Sequence, residues 1–217
     1  MKIALVNPNT NAGTTAAMVS IAAEVAGAQA RVEGHTARFG VPLITEPGAF
    51  DRAAKAVAAL APSLSAADAV IIAAFSDPGL AALRAALDVP VTGIAEAGMA
   101  EAGVNGRPFA VVTTTPKLAP RIASTAARYG HLRFAGTWTT DGDPTALTAD
   151  AAALETALAR AIRCAADSGR VEAVVIGGGP LAMAARALSA AAPVPLVEPV
   201  PAAVRLSLLR LGAEIPV

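Results

Sequence analysis

The sequence predicts an α/β protein made of two pseudo-symmetric, doubly wound parallel-sheet halves. Three observations predict it. Short β-rich runs alternate with Ala-rich helical stretches, the pattern of right-handed βαβ units. Several β-rich runs are apolar throughout, VIIAAF and AVVIGG among them, as strands buried on both faces require. The chain also repeats itself. KIALVNPNT from Lys2 resembles PFAVVTTTP from Pro108, 106 residues on. DAVIIAAFSDPGLAALRAAL from Asp68 resembles EAVVIGGGPLAMAARAL from Glu172, 104 residues on. VPV from Val89 resembles VPL from Val194 at an offset of 105. Three matches in one order at one spacing point to two copies of one α/β half.

The elements follow in order. Strands are expected at Ile3–Val6, Arg31–Thr36, Ala69–Ala74 and Val91–Ile94 in the first copy. The second copy supplies Phe109–Thr113, Arg133–Trp138, Ala173–Gly177 and Leu196–Val197. Helices are expected at Gly13–Val25, Phe50–Ala61, Gly79–Ala86 and Glu96–Ala102, then Lys117–Arg128, Thr148–Asp167, Leu181–Ala190 and Pro201–Leu211. The last helix has no strand after it and is expected to pack back on the first half. The first half is thus residues 1–95 plus 200–217, and the second is 96–199, with the join near Ala95–Arg107.

Composition excludes several functions. The 217 residues carry 17 basic and 17 acidic side chains. A nucleic-acid binder would need a basic excess to release counterions. At 54% apolar the chain is not disordered. Mean hydropathy is +0.54, but Ala, about a quarter of the chain, inflates it. No run of about 18 apolar residues is free of charge, Gly and Pro, so no membrane span is expected. MKIALVNPNT turns polar too early for a signal peptide. A single cysteine, Cys164, excludes a disulfide framework and a Cys-based metal site. The expected location is the cytoplasm. Neither a phosphate-binding loop nor a dinucleotide fingerprint occurs. Two separated histidines and one cysteine make no zinc site, and no nucleophile elbow is present.

Ligands of open α/β sheets bind beyond the carboxyl ends of the strands. Four polar clusters stand there: Asn7–Asn11, Phe75–Gly79, Thr113–Pro116 and Gly177–Pro180. Pro78, Pro116 and Pro180 fit first helical positions, with Asp77, Thr115 and Gly179 as N-caps. Helix N-termini offer unpaired N–H groups and partial positive charge. A small anion or carbonyl compound is the natural guest. Asn9, Ser76, Thr114, Thr115 and the backbone of Gly178 and Gly179 are therefore the expected ligand-binding residues. Capping alone is the competing account of each.

At ALVNPNTN, IIAAFSDPGL, FAVVTTTPK, RYG and VVIGGGPLAM followed by VPLVEPV, the chain resembles the hydantoin racemase branch of the aspartate/glutamate racemase superfamily. The resemblance runs along nearly the whole chain. It implies two pseudo-symmetric α/β domains, a substrate between them, no cofactor and frequent homo-oligomers. It implies activity on hydantoins, allantoin or amino acids, with maleate isomerases and arylmalonate decarboxylases as relatives. In the racemases a cysteine stands at each of two symmetric strand ends; one thiolate removes the α-proton and the opposite thiol returns one. Here those positions are Ala74 and Gly178, and neither can move a proton.

Cys164 lies within a helical run and is not a replacement. Ser76 faces the cleft mouth by position, near a hydroxyl that binds substrate oxygen in the decarboxylase relatives. A hydroxyl without an adjacent base is a poor proton acceptor. Glu198, after the last strand, and Glu46, in FGVPLITEPG, are the remaining acidic candidates. His35 and His131 read as structural or solvated. Two functions stay open. One is a cofactor-independent enzyme acting on a small carboxylate, hydantoin or related amide, not by the two-cysteine route. The other is a racemase-fold protein that binds a small anionic or hydantoin-like ligand and has lost the chemistry.

Overall fold

The computed structural model describes residues 1–213. The first half runs β1 (Lys2–Asn7), α1 (Ala12–Ala26), β2 (Arg31–Thr36), α2 (Pro47–Ala58), β3 (Ala69–Ile72), α3 (Leu80–Ala86), β4 (Val91–Gly93) and α4 (Ile94–Ala102). The second runs β5 (Phe109–Thr113), α5 (Ala119–Arg128), β6 (Phe134–Thr139), α6 (Pro144–Ala149), α7 (Ala151–Asp167), β7 (Ala173–Ile176), α8 (Ala182–Leu188) and β8 (Leu196–Val197), followed by α9 (Pro199–Arg210). All pairings are parallel. The two four-stranded sheets have orders β2-β1-β3-β4 and β6-β5-β7-β8, the same order twice.

The register carries the symmetry to single residues. Ile3 stands opposite Ala69, and Phe109 opposite Ala173. These pairs are related by the 106- and 104-residue offsets of the sequence repeat. β3, β5 and β7 are buried at every residue, as strands covered on both faces must be.

The structure corrects several of the expected helices, and the second spans Pro47–Ala58, not Phe50–Ala61. The run read as one helix from Thr148 to Asp167 is two. Asp143 and Asp150 each turn extended and accept backbone N–H bonds as N-caps, which splits it at Ala149/Asp150. The helices after β5 and β7 are each preceded by a 3₁₀ turn, Pro116–Leu118 with Thr115 at its N-cap and Gly179–Leu181 with Gly178, not Gly179, at its N-cap. On the β3 side Asp77 does not cap the next helix: Gly79, in left-handed conformation, occupies the N-cap of α3.

One core cluster crosses both halves, joining Ile3, Met18 and Ile94 to Val111, Val175 and Val204. α4 lies in the middle of it. A Cβ on Gly98 would approach Val175 Cγ1 to 3.0 Å and Pro199 Cβ to 3.2 Å, so glycine permits this close packing. α9 returns to contact α4 and α1, and also β3 and β4 of the first half; residues 214–217 lie outside the described residues. Arg205 on α9 forks onto Glu101 on α4 at 2.7–3.1 Å. That pair is half-exposed and contributes little. Apolar burial holds the helix. Leu208→Ala is expected to lower the unfolding free energy by about 2–5 kcal/mol. Arg205→Ala should change it by less than about 1 kcal/mol, both measured by chemical denaturation.

Candidate active site

The carboxyl ends of β1, β3, β5 and β7 meet around one cavity of about 50 Å³. Asn9, Ser76, Thr114, Thr115, Gly178 and Gly179 all line it, as do Ala74 and Thr113. An apolar wall comes from Leu43, Ile44, Phe75, Leu118, Ile122 and Leu181. No Asp, Glu, His, Lys, Arg, Cys or Tyr is among the lining residues.

Matching strand ends use matching hydrogen bonds. In the first half Asn7 Nδ2 donates to Asn9 Oδ1 at 2.9 Å and to Thr15 Oγ1 at 3.0 Å. Asn9 Oδ1 also accepts from the Asn11 N–H. That occupies the carbonyl end of Asn9 and leaves its Nδ2 without an acceptor among the described residues. In the second half Thr113 Oγ1 donates to Gly177 O at 2.8 Å. Its single proton is used there, so the 3.0 Å contact between Thr113 and Thr115 hydroxyls has Thr115 as donor. Thr115 therefore turns lone pairs, not a proton, to the cavity. The hydroxyls of Ser76 and Thr114 and the backbone N–H groups of Ser76, Thr114 and Gly179 have no partner among the described residues. These groups open onto the cavity, where water or a ligand can take their hydrogen bonds.

Positions 74 and 178 both stand on the cavity wall. Gly178 has φ 167, extended backbone open to any residue. A Cβ there would meet Leu181 Cγ at 3.2 Å, a contact that a small shift of Leu181 relieves. Its neighbour differs: a Cβ on Gly179 would lie 2.6 Å from the Ala73 carbonyl and 2.6 Å from Met18 Sδ.

Asp77 sits just behind the wall. Ser76 and Asp77 both have positive φ, 68 and 57, uncommon for consecutive non-glycine residues. The Asp77 carboxylate caps α4, not α3. It accepts the N–H groups of Ala95 and Glu96, each at 2.9 Å. The Tyr129 hydroxyl donates to it at 2.7 Å from the second half. Burial pushes the Asp77 carboxyl up to about 6 from 3.8, against the lowering effect of Tyr129 and the two backbone donors. Gly93 is required beside it, since a Cβ there would fall 2.1–2.4 Å from the carboxyl atoms.

The other candidates lie elsewhere. Glu198 does not line the cavity; it starts α9 and pairs with Arg186 at 3.4 Å. Glu46 is the N-cap of α2, 4.0 Å from Lys117 Nζ. His131 packs edge-on against Phe109 at 5.3 Å, and burial lowers its pKa. His35 lies in β2, lowered likewise by burial. Cys164 is exposed on α7. Leu43, Ile44 and Thr148 line the cavity without having been expected there, and Tyr129, noted only within RYG, reaches Asp77. The one local signal for Leu43 and Ile44 is the apolar run VPLI, residues 41–44, in the loop between β2 and α2. No described group of His, Cys, Asp and Glu could hold a metal. No described helix is long and apolar enough to cross a membrane.

Two parallel sheets of one order, with a cavity between their carboxyl ends, define a pseudo-symmetric α/β protein with a ligand cleft between its halves. The chain belongs to the Asp/Glu/Hydantoin racemase family, whose family model matches residues 3–207. It is 33% identical to a hydantoin racemase of Rhizobium meliloti over 98% of this chain and 90% of that one. A hydantoin racemase of Paenarthrobacter aurescens is 30% identical over 99% and 93%. Among solved structures, an allantoin racemase from Pseudomonas fluorescens superposes with a TM-score of 0.91 at 30% identity, covering 100% of this chain and 94% of that one. An allantoin racemase from Klebsiella pneumoniae gives 0.91 at 29%, covering 100% and 90%.

A carboxyl raised on folding favours the fold most when protonated. The Asp77 contribution is full below about 3.8 and is lost as pH rises through about 6. Unfolding of the natural protein and of Asp77→Asn, compared by denaturant titration from pH 4 to pH 7, should show the natural protein losing stability relative to the variant across that window. A constant difference would contradict the shift.

Proposed function

We propose that the cavity binds a small carboxylate, hydantoin or related amide, and that the protein does not racemise it by a two-thiol route. The observation that carries this reading is the wall itself: unpartnered N–H and O–H donors from both halves and no titratable side chain. The donors of Asn9, Ser76, Thr114 and Gly179 suit an anionic or carbonyl oxygen. The hydantoin and allantoin racemases among its relatives make a hydantoin-like ligand the first choice.

Two-base racemisation needs an acid and a base on opposite faces of one α-carbon, each with a pKa within reach of neutrality. A thiol starts near about 8.5 and is readily lowered at a helix N-terminus. A methyl at Ala74 and a hydrogen at Gly178 offer no such group. The reading that fits is a ligand-binding member of the family. A second reading keeps chemistry of another kind. Fixed donors stabilise a developing oxyanion without moving a proton themselves, and the cluster at Ser76, Thr114 and Gly179 favours it. The two part on whether product forms.

Titration with malonate and 5-methylhydantoin by calorimetry is expected to show binding that weakens about three- to tenfold on Asn9→Ala, the worth of one hydrogen bond. In deuterated water, proton NMR should show no α-exchange of 5-methylhydantoin, and alkylation of Cys164 should leave binding unchanged. The pair Ala74→Cys with Gly178→Cys should introduce exchange. Rapid exchange by the unmodified protein, abolished by a thiol reagent, would overturn the reading.

A further inference from the structure

We propose that Asp77 and Tyr129 are positioning residues that clamp Ser76 in its left-handed conformation and so hold its hydroxyl on the cavity wall. The assignment of a role to the Ser76 hydroxyl rests on the ligand reading above; the clamp does not. Neither residue lines the cavity, so neither touches a ligand there.

The geometry points to the clamp in three ways. Ser76 and Asp77 are consecutive non-glycine residues at φ 68 and 57. Such backbone persists only where surrounding structure over-determines it, and it concentrates at ligand sites. The anchoring is complete, because Asp77 Oδ1 accepts from Ala95 and Oδ2 from Glu96 and Tyr129. Two of these donors belong to the first turn of α4 and the third to the end of α5. The anchor therefore spans both halves, and the residue directly before it, Ser76, has a hydroxyl with no partner among the described residues. A simple cap of α4 would need neither the tyrosine nor the left-handed pair.

The clamp is fullest with the carboxylate ionised, since a protonated carboxyl spends one oxygen as a donor facing other donors. Tyr129 from α5 and Glu96 from α4 are the titratable groups that act on it. Glu96 is itself held by Arg84 and Arg210. Arg128 lies over the Tyr129 ring at 5.1 Å, and burial beside Asp77 raises the tyrosine pKa. Grip through Ser76 should therefore weaken as acid protonates Asp77, the opposite direction to fold stability.

The test uses the full chain and two readouts. First, Ser76→Cys is made with Cys164→Ser, and its labelling by a small methanethiosulfonate reagent is timed. Adding Tyr129→Phe, which removes one oxygen and keeps the ring, should speed labelling several-fold; an unchanged rate overturns the clamp. Second, binding of 5-methylhydantoin and malonate is measured by calorimetry. Ser76→Ala and Tyr129→Phe should each weaken it by about three- to tenfold. The double variant should be no weaker than the worse single one, and additive losses overturn the positioning role. Lowering the pH from 7.5 to 5 should weaken 5-methylhydantoin binding in the unmodified protein and not in Asp77→Asn. An equal fall in both counts against the role of the Asp77 proton. If neither probe binds the unmodified protein while labelling still responds to Tyr129→Phe, the clamp stands and the ligand reading falls.

Discussion

The close approach of Gly179 to the Ala73 carbonyl governs how the two halves meet. A Cβ at that glycine would lie 2.6 Å from the oxygen, a separation that bonded structures avoid by having no side chain there. Because the backbone after β7 can slide against the end of β3, both central strand pairs deliver their carboxyl ends to one place. The cavity is the space left between them. Met18 Sδ of α1 lies 2.6 Å from the same Cβ position, so α1 closes on this glycine as well. Any larger residue at this point would push the halves apart and separate Asn9 and Ser76 from Thr114.

Within that frame the two copies have diverged in chemistry while keeping geometry. Asn7 and Thr113 occupy equivalent strand ends, and each bonds the side chain two residues on. The asparagine version releases an amide donor at Asn9. The threonine version spends its protons internally and presents acceptors. So the cavity has a donor-rich first-half side and a mixed second-half side. A ligand with one strongly accepting end and one donating end, as in a hydantoin ring or an amide, matches both better than a symmetric anion does.

How much of this was legible in the sequence depends on how local each cause is. Buried strands announce themselves as apolar runs, and all eight expected strands occur, with ends moved by no more than two residues. The repeat indicated that both halves share one plan, while the order β2-β1-β3-β4 and its copy came from the structure. The split at Asp150 was legible in principle, since Asp143-Pro144 and Asp150 carry capping chemistry, but the Ala-rich run hid it. The cavity-lining polar residues could be named because strand ends and turn residues are local. Asp77 could not be placed, because its partners Ala95, Glu96 and Tyr129 lie 18, 19 and 52 residues away. The same holds for Leu43 and Ile44, which reach the cavity only through the path of a loop tied back to Thr10.

The contrast between Gly178 and Gly179 bears on why the cavity has no acid or base. Packing compels glycine at 179. At 178 it does not: the backbone is extended, and the nearest obstacle to a side chain is the movable end of Leu181. Position 74 already carries a methyl. The fold therefore has room for reactive groups at both symmetric strand ends, and their absence is a property of the side chains chosen and not of the architecture. A scaffold that keeps a left-handed serine and a buried carboxylate anchored across both halves holds features that are costly to maintain. Left-handed non-glycine backbone and a desolvated carboxylate each oppose stability. Their joint presence beside a cavity without proton-transfer groups supports the ligand-binding reading proposed above.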